Sequence, residues 1–111
     1  MERVSVDLRV PGIALVSLNG EHELYDALKL RERFRALFDE GLSVVVDLTE
    51  TVFVDSSIVG VLLDAKELAA ERGADYSVVL GETTGESVRR MFDITGLGGI
   101  LPVVERDAPA G

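Results

Sequence analysis

The sequence predicts one α/β domain built on a mixed β-sheet, and three observations lead to this fold class. Near the N-terminus, two short segments of alternating apolar and polar residues flank Pro11-Gly12. Farther along, short apolar runs rich in branched residues alternate with longer segments whose apolar residues recur at helical spacing. The resulting order, β-β-α-β-α-β-α-β, favours an N-terminal antiparallel hairpin, parallel core strands and helices packed against the sheet.

The first two strands form the predicted hairpin. Residues 4–10 alternate valine and leucine with polar residues, which is typical of a strand with one buried face. Pro11-Gly12 supplies the turn, and residues 13–18 return as the second strand. Asn19-Gly20 ends the hairpin and opens a polar loop, Glu21-His22-Glu23, before the first helix.

The central part of the chain predicts two helices around a buried strand. The first helix is expected over about residues 25–40, and Gly41 ends it in the usual C-terminal position. Residues 43–48 form the next strand, and residues 56–72 form the second helix. The inward face of the first helix is predicted to carry Leu28, Leu30, Phe34, Leu37 and Phe38.

The C-terminal third predicts a strand, a short helix and an edge strand. Residues 76–80 form a buried strand, and Thr83-Thr84-Gly85-Glu86 has the spacing of a capping box that starts the third helix. Gly96 is expected to end that helix. Residues 100–104 form a last strand, which its proline confines to the edge of the sheet. Residues 105–111 are predicted to be a flexible tail.

Composition limits the classes of function. The chain of 111 residues is expected to be a single domain, residues 1–111, with its core at about residues 4–104. No apolar run is long enough to span a membrane and the charged N-terminus is unlike a signal peptide, so we expect a cytoplasmic protein without a membrane partner. A net charge of -9 disfavours direct nucleic acid binding. The absence of cysteine excludes disulfides and thiolate metal sites.

The most informative segment is the junction where a buried strand pattern gives way to the second helix. Asp55, Ser56 and Ser57 lie at this junction, and Ile58 begins the apolar face of the helix. The first turn of a helix leaves backbone N–H groups without partners, so Asp55 is predicted to cap it. A serine hydroxyl there can also act as a phosphorylation switch, because such N–H groups can hold a phosphate.

The polar residues of the chain also suggest three other kinds of chemistry: hydrolysis, metal binding and phosphate binding. Ser56, Asp55 and His22 suggest a hydrolytic triad, but the Gly-x-Ser-x-Gly turn is absent. Glu21-His22-Glu23 offers metal ligands, although consecutive residues rarely converge on one ion. Gly81–Gly85 precedes a helix but lacks the Gly-Lys-Ser/Thr ending of a phosphate loop, so nucleotide hydrolysis is not expected and weak nucleotide binding stays open.

Two apolar residues of the second helix allow two interpretations of their position. Val59 and Leu63 lie beside the serines, off the main apolar stripe. They either widen the buried face of the helix or form a small exposed patch that docks a partner.

Three blocks together resemble the single-domain STAS proteins that act as anti-sigma factor antagonists. Gly20-Glu21, with the acidic Glu23, is similar to the family loop motif Gly-Glu-x-Asp. Asp55-Ser56-Ser57, with Gly60 farther on, resembles the phosphorylation motif Asp-Ser-Ser/Thr-Gly-Leu-Gly. Phe92–Leu97 is similar to the family's C-terminal block. The resemblance implies a STAS-type mixed sheet.

The resemblance also implies a partner switch, and no enzyme activity or cofactor. The expected partner is an anti-sigma factor that is also a serine kinase, and binding it would release a sigma factor. The kinase would phosphorylate Ser56, which ends the complex, and a serine phosphatase would restore it. The partner-binding residues are expected to be Gly20, Glu21, His22, Glu23, Asp55, Ser56, Ser57, Ile58, Val59 and Leu63.

The sequence departs from the family pattern at the same site. Ile58 and Val59 replace the family's Gly-Leu, and Glu23 replaces the loop aspartate. Ile58 either stands in the path of the kinase or turns inward at the start of the apolar stripe. Two alternative functions therefore accompany the switch: a STAS scaffold whose Ser56 is never modified, and a domain that senses a small ligand through residues 20–23.

Overall fold

The structure is a computed structural model that describes residues 3–106. These residues form seven strands and four helices. In chain order the elements are β1 (Val4–Asp7), β2 (Ile13–Leu18), β3 (Gly20–His22), α1 (Leu24–Asp39), β4 (Ser43–Asp47), β5 (Thr51–Val54), α2 (Ser56–Arg72), β6 (Tyr76–Gly81), α3 (Glu86–Thr95), α4 (Leu97–Ile100) and β7 (Val103–Arg106).

Five strands form the main sheet in the order β1-β2-β4-β6-β7. Strands β1 and β2 pair antiparallel, with Val4 opposite Leu18, and the other neighbours pair parallel. The predicted mixed α/β sheet is therefore confirmed, with the hairpin at one edge. The last strand is parallel to β6 and lies at the opposite edge, as its proline indicated.

A second, two-stranded sheet was not predicted. Strand β3 pairs parallel with β5, and the N–H of Gly20 donates to the carbonyl of Glu50 at 3.0 Å. The prediction that residues 20–23 form a loop is therefore wrong for residues 20–22. Three residues are too few to display an alternating pattern, and their partner strand lies about thirty residues farther along the chain.

Helices α1 and α2 pack against each other and against the sheet. Leu28, predicted to face inward, is instead 66% exposed. It lies next to Ala27, which belongs to the buried stripe, and adjacent helical residues point about 100° apart. The stripe that does reach the core consists of Ala27, Leu30, Phe34, Leu37 and Phe38.

The predicted capping box of α3 is wrong. Glu86 is the first residue of α3, but no side chain caps this helix. The hydroxyl of Thr83 donates to the carbonyl of Thr49 at 2.9 Å, and the hydroxyl of Thr84 donates to the carbonyl of Leu48 at 2.9 Å. Both threonines thus bind the turn after β4, a contact that local spacing does not reveal.

The C-terminal elements differ from prediction at their boundaries. The end of α3 is confirmed, since Gly96 follows it with φ of 69° in the left-handed region. Ile100 and Leu101 are not in a strand, because Leu97–Ile100 form the short α4 and β7 begins at Val103. The predicted tail starts too early, because β7 continues to Arg106. Its remaining residues, 107–111, lie outside the described part of the chain.

Candidate functional site

The site centres on the start of α2, where Asp55 caps the helix as predicted. Its carboxylate accepts the N–H of Ser57 at 3.0 Å and the N–H of Ile58 at 3.2 Å. The hydroxyl of Ser57 donates to the same oxygen. The Ser57 hydroxyl, followed by the backbone N–H groups, lowers the pKa of Asp55, against an opposing effect of burial. The aspartate is therefore a stable anion at the helix start.

The two serines that follow have different surroundings. Ser56 is the first residue of α2, and its side chain is exposed. Ser57 is half-buried, and its hydroxyl is bound to Asp55. An incoming protein can reach the hydroxyl of Ser56 directly, whereas that of Ser57 would first have to break its bond.

The cap also changes the expected role of the backbone N–H groups. The sequence predicts that backbone N–H groups of this first turn can hold a phosphate. In the structure, the N–H groups of Ser57 and Ile58 already bond the carboxylate of Asp55. A phosphate on Ser56 would therefore lie beside the carboxylate of Asp55 and would not find these two N–H groups free. The local field therefore opposes the added charge more than a bare helix start would.

Strand β3 brings the second predicted segment to this junction. Glu21 lies opposite Phe53 and His22 opposite Val54, in the strand that leads directly into Asp55. The N–H of Asp55 donates to the carbonyl of His22 at 3.3 Å. The predicted loop and the serine motif are thus adjacent, as the partner-binding hypothesis requires.

The surface around Ser56 is acidic. Glu21 and Glu23 are exposed on the neighbouring strand and at its end, and the carboxylate of Asp55 lies beside the serine. The backbone N–H of Leu24, the first residue of α1, also contributes to the lowered pKa of Asp55. The starts of α1 and α2 and the C-terminal ends of β3 and β5 therefore meet at one junction, where carboxylates lie near the exposed Ser56.

Two of the predicted partner-binding side chains are buried, so this part of the prediction needs correction. The ring of His22 is fully buried, and its Nε2 lies 2.9 Å from the carbonyl oxygen of Asn19. Ile58 is also fully buried, which decides between its two readings: it turns inward and joins the hydrophobic core. Neither side chain can contact a docked protein.

The remaining predicted residues occupy the surface to different degrees. Gly20 is half-buried, and it holds φ of 81° in the left-handed region at the start of β3. Val59 and Leu63 are half-buried and pack against the core. The wide buried face is therefore the better description of these two residues of α2.

The alternative chemistries find no support in the geometry. A hydrolytic base would have a ring nitrogen on the serine hydroxyl, but Nε2 of His22 faces the carbonyl of Asn19 and Nδ1 faces Asp26. Within residues 3–106, no group of three or more histidine or acidic side chains could hold a metal ion. At the candidate phosphate loop, the N–H of Gly81 is bound to the hydroxyl of Thr84 at 2.8 Å.

Sequence reasoning missed the exposed apolar residues beside the site. Leu24 and Tyr25 begin α1 and are 65% and 73% exposed. On the other side of β5, an open groove of about 370 Å³ is lined by Phe53, Ser87, Arg90, Met91, Ile94 and Thr95. The spacing of Leu24 and Leu28, four residues apart and off the buried stripe, was the available signal for the first group.

Comparison with known proteins decides the family. The family model described as "Mlab, STAS domain" matches residues 7–104, which is most of the chain. The chain belongs to the STAS domain family. This STAS domain is 30% identical to the anti-sigma-B factor antagonist of Bacillus subtilis (strain 168), over 79% of this chain and 78% of the relative. The family resemblance drawn from three motifs is confirmed.

Solved structures have the same fold. An anti-sigma factor antagonist from Mycobacterium paratuberculosis superimposes with a TM-score of 0.76 and 25% identity, over 90% of this chain and 82% of that one. The phosphorylated form of the Bacillus cell fate determinant SpoIIAA gives a TM-score of 0.73 at 16% identity, over 93% and 90% of the two chains. The predicted STAS-type fold is confirmed. In the described part of this STAS domain, no helix is both long and apolar enough to cross a membrane.

Proposed function

We propose that this STAS domain is an anti-sigma factor antagonist that acts in the cytoplasm. It binds an anti-sigma factor that is also a serine kinase, and this binding releases the sigma factor. Phosphorylation of Ser56 by that kinase ends the complex, and a serine phosphatase restores it. The domain contributes no catalytic residue and no cofactor, because ATP belongs to the kinase. The curated antagonists related to it support this role.

The proposal rests on one observation. The hydroxyl of Ser56 at the start of α2 is exposed, whereas the neighbouring hydroxyl of Ser57 is already bonded to Asp55. The contrast between Ser56 and Ser57 gives a kinase one accessible acceptor. Asp55 holds the first turn in place through two backbone bonds, so the acceptor is presented by a rigid helix start.

The charge of the surface explains how phosphorylation would end the complex. Glu21, Glu23 and Asp55 make this face acidic, so a partner that binds it must present basic groups. A phosphate on Ser56 adds about -1.5 to -2 charges inside a close-packed interface. It must give up its bound water there, and it gains no bond from the N–H groups that already bond Asp55. Binding should therefore weaken by both desolvation and repulsion.

Phosphorylation of the purified chain by individual kinases tests the proposal. Each anti-sigma factor kinase encoded in the source genome is incubated with the chain and ATP, and the product is mapped by mass spectrometry. We expect one phosphate, on Ser56, and none on Ser56→Ala. The matched control is Ser57→Ala, which should still be phosphorylated. A modified Ser57 with an untouched Ser56 would contradict the proposed acceptor.

Binding measurements separate the switch from a scaffold that is never modified. By calorimetry with the kinase that phosphorylates the chain, Ser56→Asp should weaken the complex at least tenfold, which is about 1.4 kcal/mol. Ser56→Ala should bind within twofold of the wild type. Tight binding without any phosphate on Ser56 would favour the scaffold, and no binding to any of the kinases would reject the antagonist role.

A further inference from the structure

We infer that Arg3 and Asp26 are positioning residues, which hold strand β3 so that Glu21 and Glu23 flank Ser56. The inference rests on the proposed function, because it concerns the surface that the anti-sigma factor would bind. It assigns a role to two residues outside every motif that the sequence analysis singled out.

Three contacts meet at the carboxylate of Asp26. Its Oδ2 lies 2.8 Å from Nη2 of Arg3 and accepts the N–H of Glu23 at 3.2 Å. The same oxygen lies 3.6 Å from Nδ1 of the buried His22. Arg3 also donates to the carbonyl of Glu21. The segment 21–23 is thus fastened to the start of β1 and to the first turn of α1.

The strand needs this fastening because its own pairing is weak. Strand β3 has three residues, its register shifts between Gly20 and Glu21, and in the described part of the chain it pairs only with β5. A two-stranded pair by itself is marginally stable in water, so the position of β3 depends on contacts outside the pair, such as the burial of His22 and the bonds to Arg3 and Asp26. Asp26 is only 14% exposed and Arg3 is 59% exposed, so solvent screens the ion pair mainly from the side of Arg3.

The sign of the effect separates positioning from simple electrostatics. Arg3→Ala removes a positive charge near an acidic surface, so a charge effect alone would strengthen the binding of a basic partner. Loss of positioning would weaken it, because the glutamates would no longer be held in place before the partner arrives. The matched control is Arg9→Ala, which removes the same charge from a local ion pair with Asp7 on the same hairpin.

The first measurement needs no partner. Amide hydrogen exchange of the full chain, followed by NMR, should be about fivefold faster at Glu23 in Arg3→Ala, as expected for a bond worth about 1 kcal/mol. Arg9→Ala should leave this rate within twofold of the wild type, and both variants should have the wild-type far-UV circular dichroism. Equal exchange at Glu23 in the wild type and Arg3→Ala would overturn the inference.

The second measurement uses the kinase that phosphorylates Ser56 in the assay above. Arg3→Ala should raise its KM about fivefold with kcat unchanged, because docking is impaired and the hydroxyl is not. Arg3→Lys, which keeps the charge and one of the two bonds, should recover part of this loss. An Arg3→Ala KM equal to or below that of the wild type would overturn the inference. If the wild type is not phosphorylated by any kinase, the proposed function fails, and the exchange rates alone decide whether Arg3 holds the strand.

Discussion

Helices α2 and α3 begin after short strand or turn segments, and the sequence predicts a side-chain cap for both. At α2 the prediction is confirmed, because Asp55 accepts two backbone N–H groups of the first turn. At α3 it is wrong, because Thr83 and Thr84 bind carbonyls after β4 instead. The N–H of Gly85, the residue before α3, donates to the carbonyl of Thr51 at 2.7 Å.

The difference shows what a local motif can and cannot decide. The ionised carboxylate of Asp55 can only accept, so it bonds the unpaired N–H groups of its own helix start. The threonine hydroxyls before α3 can also donate, and they bond the carbonyls of Leu48 and Thr49 in the turn after β4. A carboxylate cap is therefore set by its own helix, whereas a hydroxyl can be taken up by carbonyls of a neighbouring segment.

Among the substitutions that test this comparison, Gly85→Ala should lower the free energy of unfolding most. A Cβ at this position would lie 2.4 Å from the carbonyl oxygen of Val52, so α3 must move away from β5. We expect the free energy of unfolding in urea to fall by about 2 to 3 kcal/mol. The control is Gly60→Ala inside α2, where an added Cβ would meet nothing beyond its own helix backbone within 4 Å and should stabilise the protein by about 0.5 kcal/mol. Equal stability of the two variants would contradict the close contact.

Thr84→Val should have the second-largest effect on the free energy of unfolding. The Thr84 hydroxyl is buried, donates to the carbonyl of Leu48 and accepts the N–H of Gly81. Valine removes the acceptor of the Gly81 N–H, whereas the carbonyl of Leu48 keeps its bond from the N–H of Thr51. We expect a loss of about 2 kcal/mol in the free energy of unfolding, measured by urea titration. Thr84→Ser keeps the hydroxyl and should recover more than half of the loss. If serine and valine are equally destabilising, the packing of the methyl group matters more than the bonds.

Asp55→Ala should cost about 1 kcal/mol, the usual value of an N-cap. Because the folded protein lowers the pKa of Asp55, its carboxylate stabilises the fold fully above the unfolded pKa of about 3.9. This contribution disappears as the pH falls through the lower folded pKa. The difference in unfolding free energy between wild type and Asp55→Ala should therefore shrink below about pH 4. A difference that grows on acidification would contradict the charged cap.

Thr83→Ala should have the smallest effect, below about 0.5 kcal/mol, because its exposed hydroxyl bonds a surface turn and caps nothing. Glu86→Ala should be equally mild, since its predicted capping-box contact is absent. Helix content from circular dichroism and urea unfolding would check both. A loss of about 1 kcal/mol in each would restore the capping box at α3.

The candidate site was predictable where its residues are consecutive. Asp55, Ser56 and Ser57 form a contiguous motif, so their order along the chain already places a carboxylate before two hydroxyls at a helix start. The burial of His22 was not predictable, because a histidine between two glutamates has the pattern of a solvated loop. Only its pairing opposite Val54 turns that ring inward.

The amino-acid sequence by itself determined the order of the main-sheet strands and of α1, α2 and α3, most of the apolar stripes and the cap of α2, since each depends on residues within a few positions of one another. The tertiary structure alone decided that β3 joins β5, that His22 is enclosed, and that Arg3 reaches Asp26. The strand pairing and the Arg3 bonds join residues 18 or more positions apart, and the burial of His22 depends on the pairing of β3 with β5. Local periodicity carries no information about them, because they exist only after the chain has packed.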